Sequence, residues 1–369
     1  MLAFYACTNT QIINMINVKL QYYHDVDADL YVLKKNRVDL DLIKCIEDAE
    51  VFKTIVLIDP YILPKNMFSK VFSLFILHSP NIYYKKLISK AAKDKCYDKF
   101  ITFGFWADTL YVLNSFYEKN KDIIVEFAEE GMINYFFDKG RPYFCRTYGG
   151  IKEKCIRLLS HGLAAFKLKR NIMRMYVYRP DLVESNYCNE LKQINNQNEI
   201  IQNIVKAYQN KKNGLNKIYD QVKFVYLLDN FKFDMHVYIL KEILSYIHEK
   251  DLVIKLHPEN TKEEIGKICS TFPNTYIDNN DYCFEINMIG KDKIKAFISR
   301  GSTFAYSFKY IFGAETLNLL LYRIFNKSNK DVIDFADKFF VNVSDSNNLI
   351  IINDVAEIEE NLLQHIREV

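Results

Sequence analysis

Leu252-Val253-Ile254-Lys255-Leu256-His257-Pro258-Glu259-Asn260 reads as a strand that hands a histidine to a loop. Five strand-forming residues run into His257-Pro258, and Thr261 with Glu264 three residues later forms the capping box of a following helix. In open α/β sheets, ligands bind in the crevice beyond the carboxyl ends of the strands, where the start of the next helix favours an anion. His257 therefore stands where a phosphate would sit. Pro258 removes a backbone donor, fixes its own φ and biases His257 toward extended geometry, so the chain sets the direction of the imidazole. Taken alone, the same pattern is an ordinary strand-to-helix turn carrying a surface histidine.

Outward from this stretch the rhythm is βα throughout. Upstream lie a strand at Lys223–Leu228 that opens on Asp229 and a helix at Met235–His248. Downstream come a helix at Glu263–Cys269, a strand at Thr275–Ile277, a helix at Asp281–Ile289 and a strand at Lys295–Ile298. A helix at Ser302–Ile311, a strand at Thr316–Leu320 and a largely helical remainder complete this half. The first half repeats the pattern, with strands at Leu2–Cys7, Leu30–Leu33, Ile55–Ile58, Phe100–Phe105 and Ile123–Phe127. Helices are expected at Thr10–Tyr22, at Asp41–Phe52, in a region running through Leu87 and near Thr109–Tyr117. Met173–Tyr178 reads as a strand, Asn189–Tyr208 as a polar helix, and Gln209–Gly214 as a linker. Such an order implies parallel sheets with right-handed crossovers. The expectation is an α/β chain of two Rossmann-like domains, 1–210 and 215–369, facing a central cleft, with a last helix near Glu357–Ile366 that crosses back onto the first domain.

Composition narrows the partners. A chain of 369 residues is too long for one core, and 49% apolar with 26% charged residues is globular. The net charge of +3 gives no global field to attract nucleic acid, so any anion site is local. Eight scattered cysteines show no CxxC pair and no zinc spacing, and read with the absence of a signal peptide they suggest reduced, cytosolic thiols. No run of 18 apolar residues occurs, so nothing in the sequence would span a membrane. With 26 Tyr and 27 Phe against 11 Gly, aromatic cores are expected, together with an aromatic surface patch suited to a sugar, a dimer partner or a peripheral membrane contact. No GxGxxG fingerprint is present.

Three loops carry residue types suited to chemistry. Glu129-Glu130-Gly131 follows a strand; neighbouring carboxylates repel, which raises the pKa of at least one, and the glycine permits a tight turn. This suits a general base, although a solvated acidic turn has the same spacing. His257 could hold a phosphate and protonate it as it leaves. Ser299-Arg300-Gly301-Ser302-Thr303 opens a helix with hydroxyls and free N–H groups, an anion cradle that is equally a plain N-cap by Ser302. Asp25-Val26-Asp27 and Asp27-Ala28-Asp29 have the DxD spacing of metal motifs but read as a polar turn before the second strand. Trp106, the only tryptophan, could stack on a sugar or pack in a core. Arg146 and Lys152 suit an anionic acceptor or a solvated face. His78, His161, His236 and His248 read as surface or satisfied core residues.

In order along the chain, a polar loop at Thr8-Asn9-Thr10, then EEG, then KLHP, then SRGST resembles the motif set of bacterial sialyltransferases. The likeness is to glycosyltransferase family 52, the lipooligosaccharide-type enzymes, with capsular polysialyltransferases more distant. It implies a GT-B fold, CMP-N-acetylneuraminic acid (CMP-Neu5Ac) as donor, no metal or other cofactor, and a galactose-terminated acceptor joined through an α-2,3 linkage. By resemblance Glu130 is the base, with Glu129 shaping its position, and Asp229 or Asp234 competes for that role. His257 and Pro258 serve the CMP phosphate together with Gly301, Ser302 and Thr303; Glu285 corresponds to a ribose-binding acid; Thr8, Asn9 and Gly131 line the substrate. The chain departs from the pattern in carrying Glu-Glu where relatives often have Asp. A cytoplasmic enzyme, peripheral at the inner face of the membrane and able to form a homodimer, would fit this reading. Two other readings are a GT-B transferase that uses a UDP-sugar and a catalytically silent glycan- or nucleotide-binding relative.

Overall fold

The computed structural model describes residues 1–34, 38–60, 73–92, 95–104, 107–135, 137–138, 141–142, 172–183, 188–195, 199–212, 217–280, 282–344 and 348–367. Trp106, Arg146, Lys152, His161 and the side chains of His78 and Thr303 lie outside them. Two compact units divide the chain, Met1–Ile204 and Val205–Val369. The division falls inside the helix Glu199–Lys211, which takes up the first residues of the expected linker.

In the first unit, strands β1 (Leu2–Ala6), β2 (Ala28–Leu33), β3 (Thr54–Ile58), β4 (Lys99–Thr102), β5 (Ile124–Ala128), β8 (Ile172–Val177) and β9 (Cys188–Gln193) form one sheet. Its order is β3-β2-β1-β4-β5-β8-β9, every pairing is parallel, and β6 (Phe137–Asp138) and β7 (Arg141–Pro142) make a separate small ladder. Central β1 is buried at every position, as a parallel strand covered on both faces must be. The chain reverses its direction of winding between β1 and β4, which creates a switch point there.

The second sheet has the order β12-β11-β10-β13-β14-β15, built from β10 (Phe224–Leu227), β11 (Leu252–Lys255), β12 (Tyr276–Asp278), β13 (Ala296–Ser299), β14 (Leu317–Leu320) and β15 (Leu349–Ile351). This is the Rossmann order, with the switch point between β10 and β13. Alternation along the strands feeds two cores. Phe224, Tyr226, Leu252, Ile254, Ala296 and Ile298 fill one face, whereas Val225, Val253 and Phe297 fill the other. The helix Ala356–Arg367 puts Ile358 and Leu362 into the first of these cores, with Ile239 and Leu240 of the helix Phe233–Tyr246.

The structure corrects several expectations. Asn189–Tyr208 is not one helix: Cys188–Gln193 is an edge strand, in register with β8 so that Glu190 lies beside Arg174, and the helix starts only at Glu199. The C-terminal remainder contains β15, whose Leu349-Ile350-Ile351 is too short to show a period. Asp29 is not part of a polar turn, because it lies within β2, fully buried, and takes bonds from Lys95 Nζ at 2.6 Å and the Tyr97 hydroxyl at 2.5 Å. Among the described residues no helix is long and apolar enough to cross a membrane.

Candidate functional site

At the carboxyl edge of the first sheet, the loop after β5 meets the loop after β1. Thr8 caps the helix Asn9–Tyr22 by accepting the Gln11 N–H at 3.2 Å, and this fixes the first turn. Gln11 then donates from Nε2 to Glu130 at 2.7 Å, while its Oε1 accepts the Cys7 N–H at 2.8 Å. Glu130 is further fixed through its own N–H, which donates to Asn134 Oδ1 at 2.6 Å; Asn134 is anchored in turn on the Phe103 carbonyl at 3.0 Å. Gly131 takes φ +129°, a conformation that side-chain-bearing residues rarely adopt, so the turn requires a glycine. Asn9 accepts the Asp39 N–H at 2.9 Å and ties a neighbouring loop.

The two glutamates divide in role. Glu129 is only 1% exposed and points inward, where its carboxylate accepts the Tyr135 hydroxyl and, at 2.8 Å, the Tyr178 N–H. Its carbonyl takes the Asn14 amide at 2.7 Å. Burial, and then the Glu129 charge, push the Tyr178 hydroxyl well above its ordinary pKa, so it stays a neutral donor to Asn14. Glu129 is therefore a strut between β5, β8 and the first helix. Glu130 is the half-buried carboxylate of the pair.

In the second unit, adjacent strands β11, β10 and β13 deliver three loops to one edge. The imidazole of His257 is about one-third exposed, at 31%. Its Nδ1 accepts the Glu259 N–H at 3.2 Å, which places the proton of the neutral ring on Nε2. The His257 N–H donates to Asn260 Oδ1 at 2.8 Å, and the Asn260 amide reaches the Asp229 carbonyl at 3.5 Å, joining the β11 and β10 loops. Pro258 is exposed on the turn, and the capping box of Thr261 and Glu264 is formed in full.

Asp229 bridges onward to the β13 loop. Arg300 Nε donates to its Oδ2 at 2.6 Å, and His236 Nε2 lies 3.0 Å from its Oδ1. Burial alone would raise the Asp229 pKa; hydrogen bonds from His236 and Arg300, with their charges, outweigh it and hold the carboxyl at about 2. Ser302 caps the helix Thr303–Phe312 through the Phe304 N–H at 3.1 Å, and Gly301 lies so close to Tyr322 that a Cβ there would stand 3.4 Å from the tyrosine Cβ. Asp234 stands apart from this group: its side chain is 88% exposed and paired with Lys267 at 2.6 Å. Glu285 lies on the short helix Phe284–Met288 beyond β12, with Cys283 Sγ at 3.9 Å.

Sequence reasoning passed over Gln11, Arg300 and the pairing of His236 with Asp229. His236 is a satisfied core histidine as expected, wholly buried, but the group that satisfies it belongs to the site. Arg300 was visible as a residue of SRGST; its partner was not, because pairing the β10 and β13 loops requires the strand order. Among the described residues no group of three or more His, Cys, Asp or Glu is placed to hold a metal ion.

No protein-family model matches the chain, and a search of curated proteins finds no match. Solved structures do match, along the whole chain. The UDP-GlcNAc 2-epimerase of Neisseria meningitidis, bound to UDP-GlcNAc, is 12% identical with a TM-score of 0.52, over 100% of this chain and 92% of that one. The UDP-GlcNAc 2-epimerase of Methanocaldococcus jannaschii is 14% identical with a TM-score of 0.51, over 99% and 91%. A sialyltransferase of Photobacterium damsela is 12% identical over 95% and 81%, but its TM-score of 0.46 is too loose an overlap to bear on function. With two parallel Rossmann-like sheets and this likeness, the chain has the α/β fold of the GT-B class.

Proposed function

We propose that the chain is an inverting sialyltransferase that needs no metal and moves N-acetylneuraminic acid from its CMP donor to a terminal galactose of a bacterial surface glycan. The observation that carries the reading is the joining of the His257, Asp229 and Ser302 loops along the carboxyl edge of the second sheet, at its switch point. There a protonated Nε2 and a helix start can both meet a leaving phosphate. In the first unit, Glu130 is the carboxylate that Gln11 and Asn134 hold in place.

In this reading Glu130 takes the proton of the acceptor hydroxyl as the new C–O bond forms at the anomeric carbon. The bond from that carbon to the phosphate oxygen breaks, its electron pair leaves with CMP, and His257 Nε2–H donates to the oxygen that gains charge. Attack opposite the leaving group turns a β-linked donor into an α-linked product. Asp229, with its pKa held at about 2, is a weak base, and Asp234 is spent on Lys267 in solvent. Both facts favour Glu130.

A monophosphate and a diphosphate suit the same edge, so a UDP-sugar donor is the second reading. The deciding assay is nucleotide release from CMP-N-acetylneuraminic acid in EDTA, with and without lactose. Lactose-stimulated CMP release with a sialylated product supports the proposal. Release of UDP from a UDP-sugar, with none of CMP, overturns it in favour of the second reading. Binding of CMP with no turnover, unchanged by Glu130→Ala, overturns it in favour of a binding protein.

A further inference from the structure

We infer that Arg300 holds a nucleotide phosphate in the second unit, and that Asp229 and His236 are positioning residues that act through it. The inference deepens the proposed function and rests on that reading for the identity of the nucleotide.

Arg300 follows β13 directly, at the switch point where the sheet opens. Its guanidinium is fixed from two sides: Nε donates to Asp229 at 2.6 Å, and the guanidinium carbon lies 4.4 Å from the centre of the Phe231 ring. Asp229 is itself oriented, since its Oδ1 accepts the Phe231 N–H at 2.7 Å and faces His236 Nε2 at 3.0 Å. His236 is wholly buried, and its Nδ1 lies 2.7 Å from the Tyr226 hydroxyl. Nδ1 shares its hydrogen bond with the Tyr226 hydroxyl and Nε2–H donates to Asp229, so the ring is held at both nitrogens and its orientation is fixed. A chain of four groups thus ends on one guanidinium.

The end of the chain is unfinished. Neither Nη1 nor Nη2 of Arg300 makes a hydrogen bond or ion pair with any described residue, although the side chain is only 30% exposed. A stabilising Arg–carboxylate pair commonly engages two N–H groups in parallel; here only Nε is used, and the planar fork of the terminal nitrogens remains. A pair serving stability alone would gain little from a buried histidine that sets the carboxylate's angle. A pair serving recognition gains orientation before the ligand arrives, and the fork geometry matches phosphate oxygens. Asn260 bonds the His257 N–H and reaches the Asp229 carbonyl, so the loop of His257, the other residue proposed to meet the phosphate, belongs to the same bonded frame.

The test measures nucleotide Kd on the full chain in EDTA by saturation-transfer NMR, which reads millimolar affinities, with CMP, UDP, cytidine and uridine as probes. Wild type is compared with Arg300→Met, Arg300→Lys, Asp229→Asn and His236→Gln, each shown by circular dichroism to be folded. Arg300→Met should weaken the bound nucleotide by about 10- to 100-fold, the scale of a lost charge-assisted contact, while its nucleoside binds unchanged. Arg300→Lys should recover part of the loss, and the Asp229 and His236 variants should show a smaller loss with the same phosphate selectivity. Wild-type nucleotide affinity in folded Arg300→Met overturns the inference and leaves the sialyltransferase reading standing. Equal loss of nucleotide and nucleoside overturns it in favour of a structural ion pair. Failure of wild type to bind either nucleotide also overturns it. UDP binding that depends on Arg300, without CMP binding, upholds the inference and overturns the sialyltransferase reading.

Discussion

Replacing Glu129 by Ala and Glu130 by Gln should separate two neighbours that the sequence presents as a pair. Glu129 accepts two buried donors, the Tyr135 hydroxyl and the Tyr178 N–H, and no solvent reaches the site to replace it. Each donor left unsatisfied costs about 1–3 kcal/mol, so Glu129→Ala should lose roughly 2–6 kcal/mol before relaxation. At about 2–4 °C per kcal/mol for a domain of this size, the melting temperature should fall by roughly 4–24 °C. Glu130→Gln keeps an oxygen for the Gln11 amide at a half-buried position and should shift melting by no more than about 2 °C. Its effect falls on turnover, where losing a general base costs about 10²- to 10⁴-fold. Calorimetry of the full chain, checked by circular dichroism, and CMP release in the presence of lactose measure the two quantities. A Glu129→Ala protein that melts within about 1 °C of wild type refutes the strut, and a Glu130→Gln protein with normal turnover refutes the base.

Removing the imidazole by His257→Ala should slow CMP release by about 10²- to 10³-fold, and His257→Gln, which keeps a donor, should restore part of it; steady-state kinetics of both variants check this. Thr261→Ala breaks the capping box next to His257 and should lower stability by about 1 kcal/mol in urea unfolding. The Asp229 pKa, depressed to about 2, contributes stability that is complete above the unfolded carboxyl value near 4 and is lost as pH falls through about 2. Between these values wild type should lose about 2 kcal/mol that Asp229→Asn does not; urea midpoints at pH 6, 4 and 2 read the difference, and parallel curves contradict it.

The fold was legible where strands are buried on both faces. LAFYA, LVIK and AFIS read as strands because parallel central strands are continuously apolar, whatever their partners. CNELKQ and LII were missed because a polar edge strand keeps its amphipathy only relative to a neighbour, here Arg174 of β8, and three residues show no period. The same limit governs the site. His257, Glu130 and Ser302 stand out as candidates in the sequence because each is marked by its own flanking residues: a proline, a glycine, a helix start. Gln11, His236 and Arg300 carry no local mark. Their roles arise from residues 119, 7 and 71 positions away, through contacts set by helix start and strand order.

Charge alone also fails to separate site from scaffold, because the chain buries ionised side chains for both purposes. Glu126, fully buried in β5, takes Lys99 Nζ at 2.9 Å and the Tyr176 hydroxyl at 2.7 Å, accepts the Tyr23 hydroxyl as well, and lies 3.8 Å from Arg174. Both of its oxygens are used. Removing one member of such a cluster leaves an uncompensated buried charge, a loss of about 3–5 kcal/mol, so its purpose is met within the protein. Lys99 opens β4, toward the amino ends of the strands, the side of the sheet away from ligand-binding loops. Arg300 follows β13 in the other unit, at the carboxyl edge of its own sheet, and obeys the opposite logic. Its Nε is fixed and its ring contact is made, yet the terminal fork has no described partner. The Glu126 cluster, with its hydrogen bonds made inside the fold, serves the scaffold; the Arg300 fork, oriented with equal care and 30% exposed, is free to take an anion from solvent, and that difference is what the Arg300→Met comparison of nucleotide with nucleoside reads.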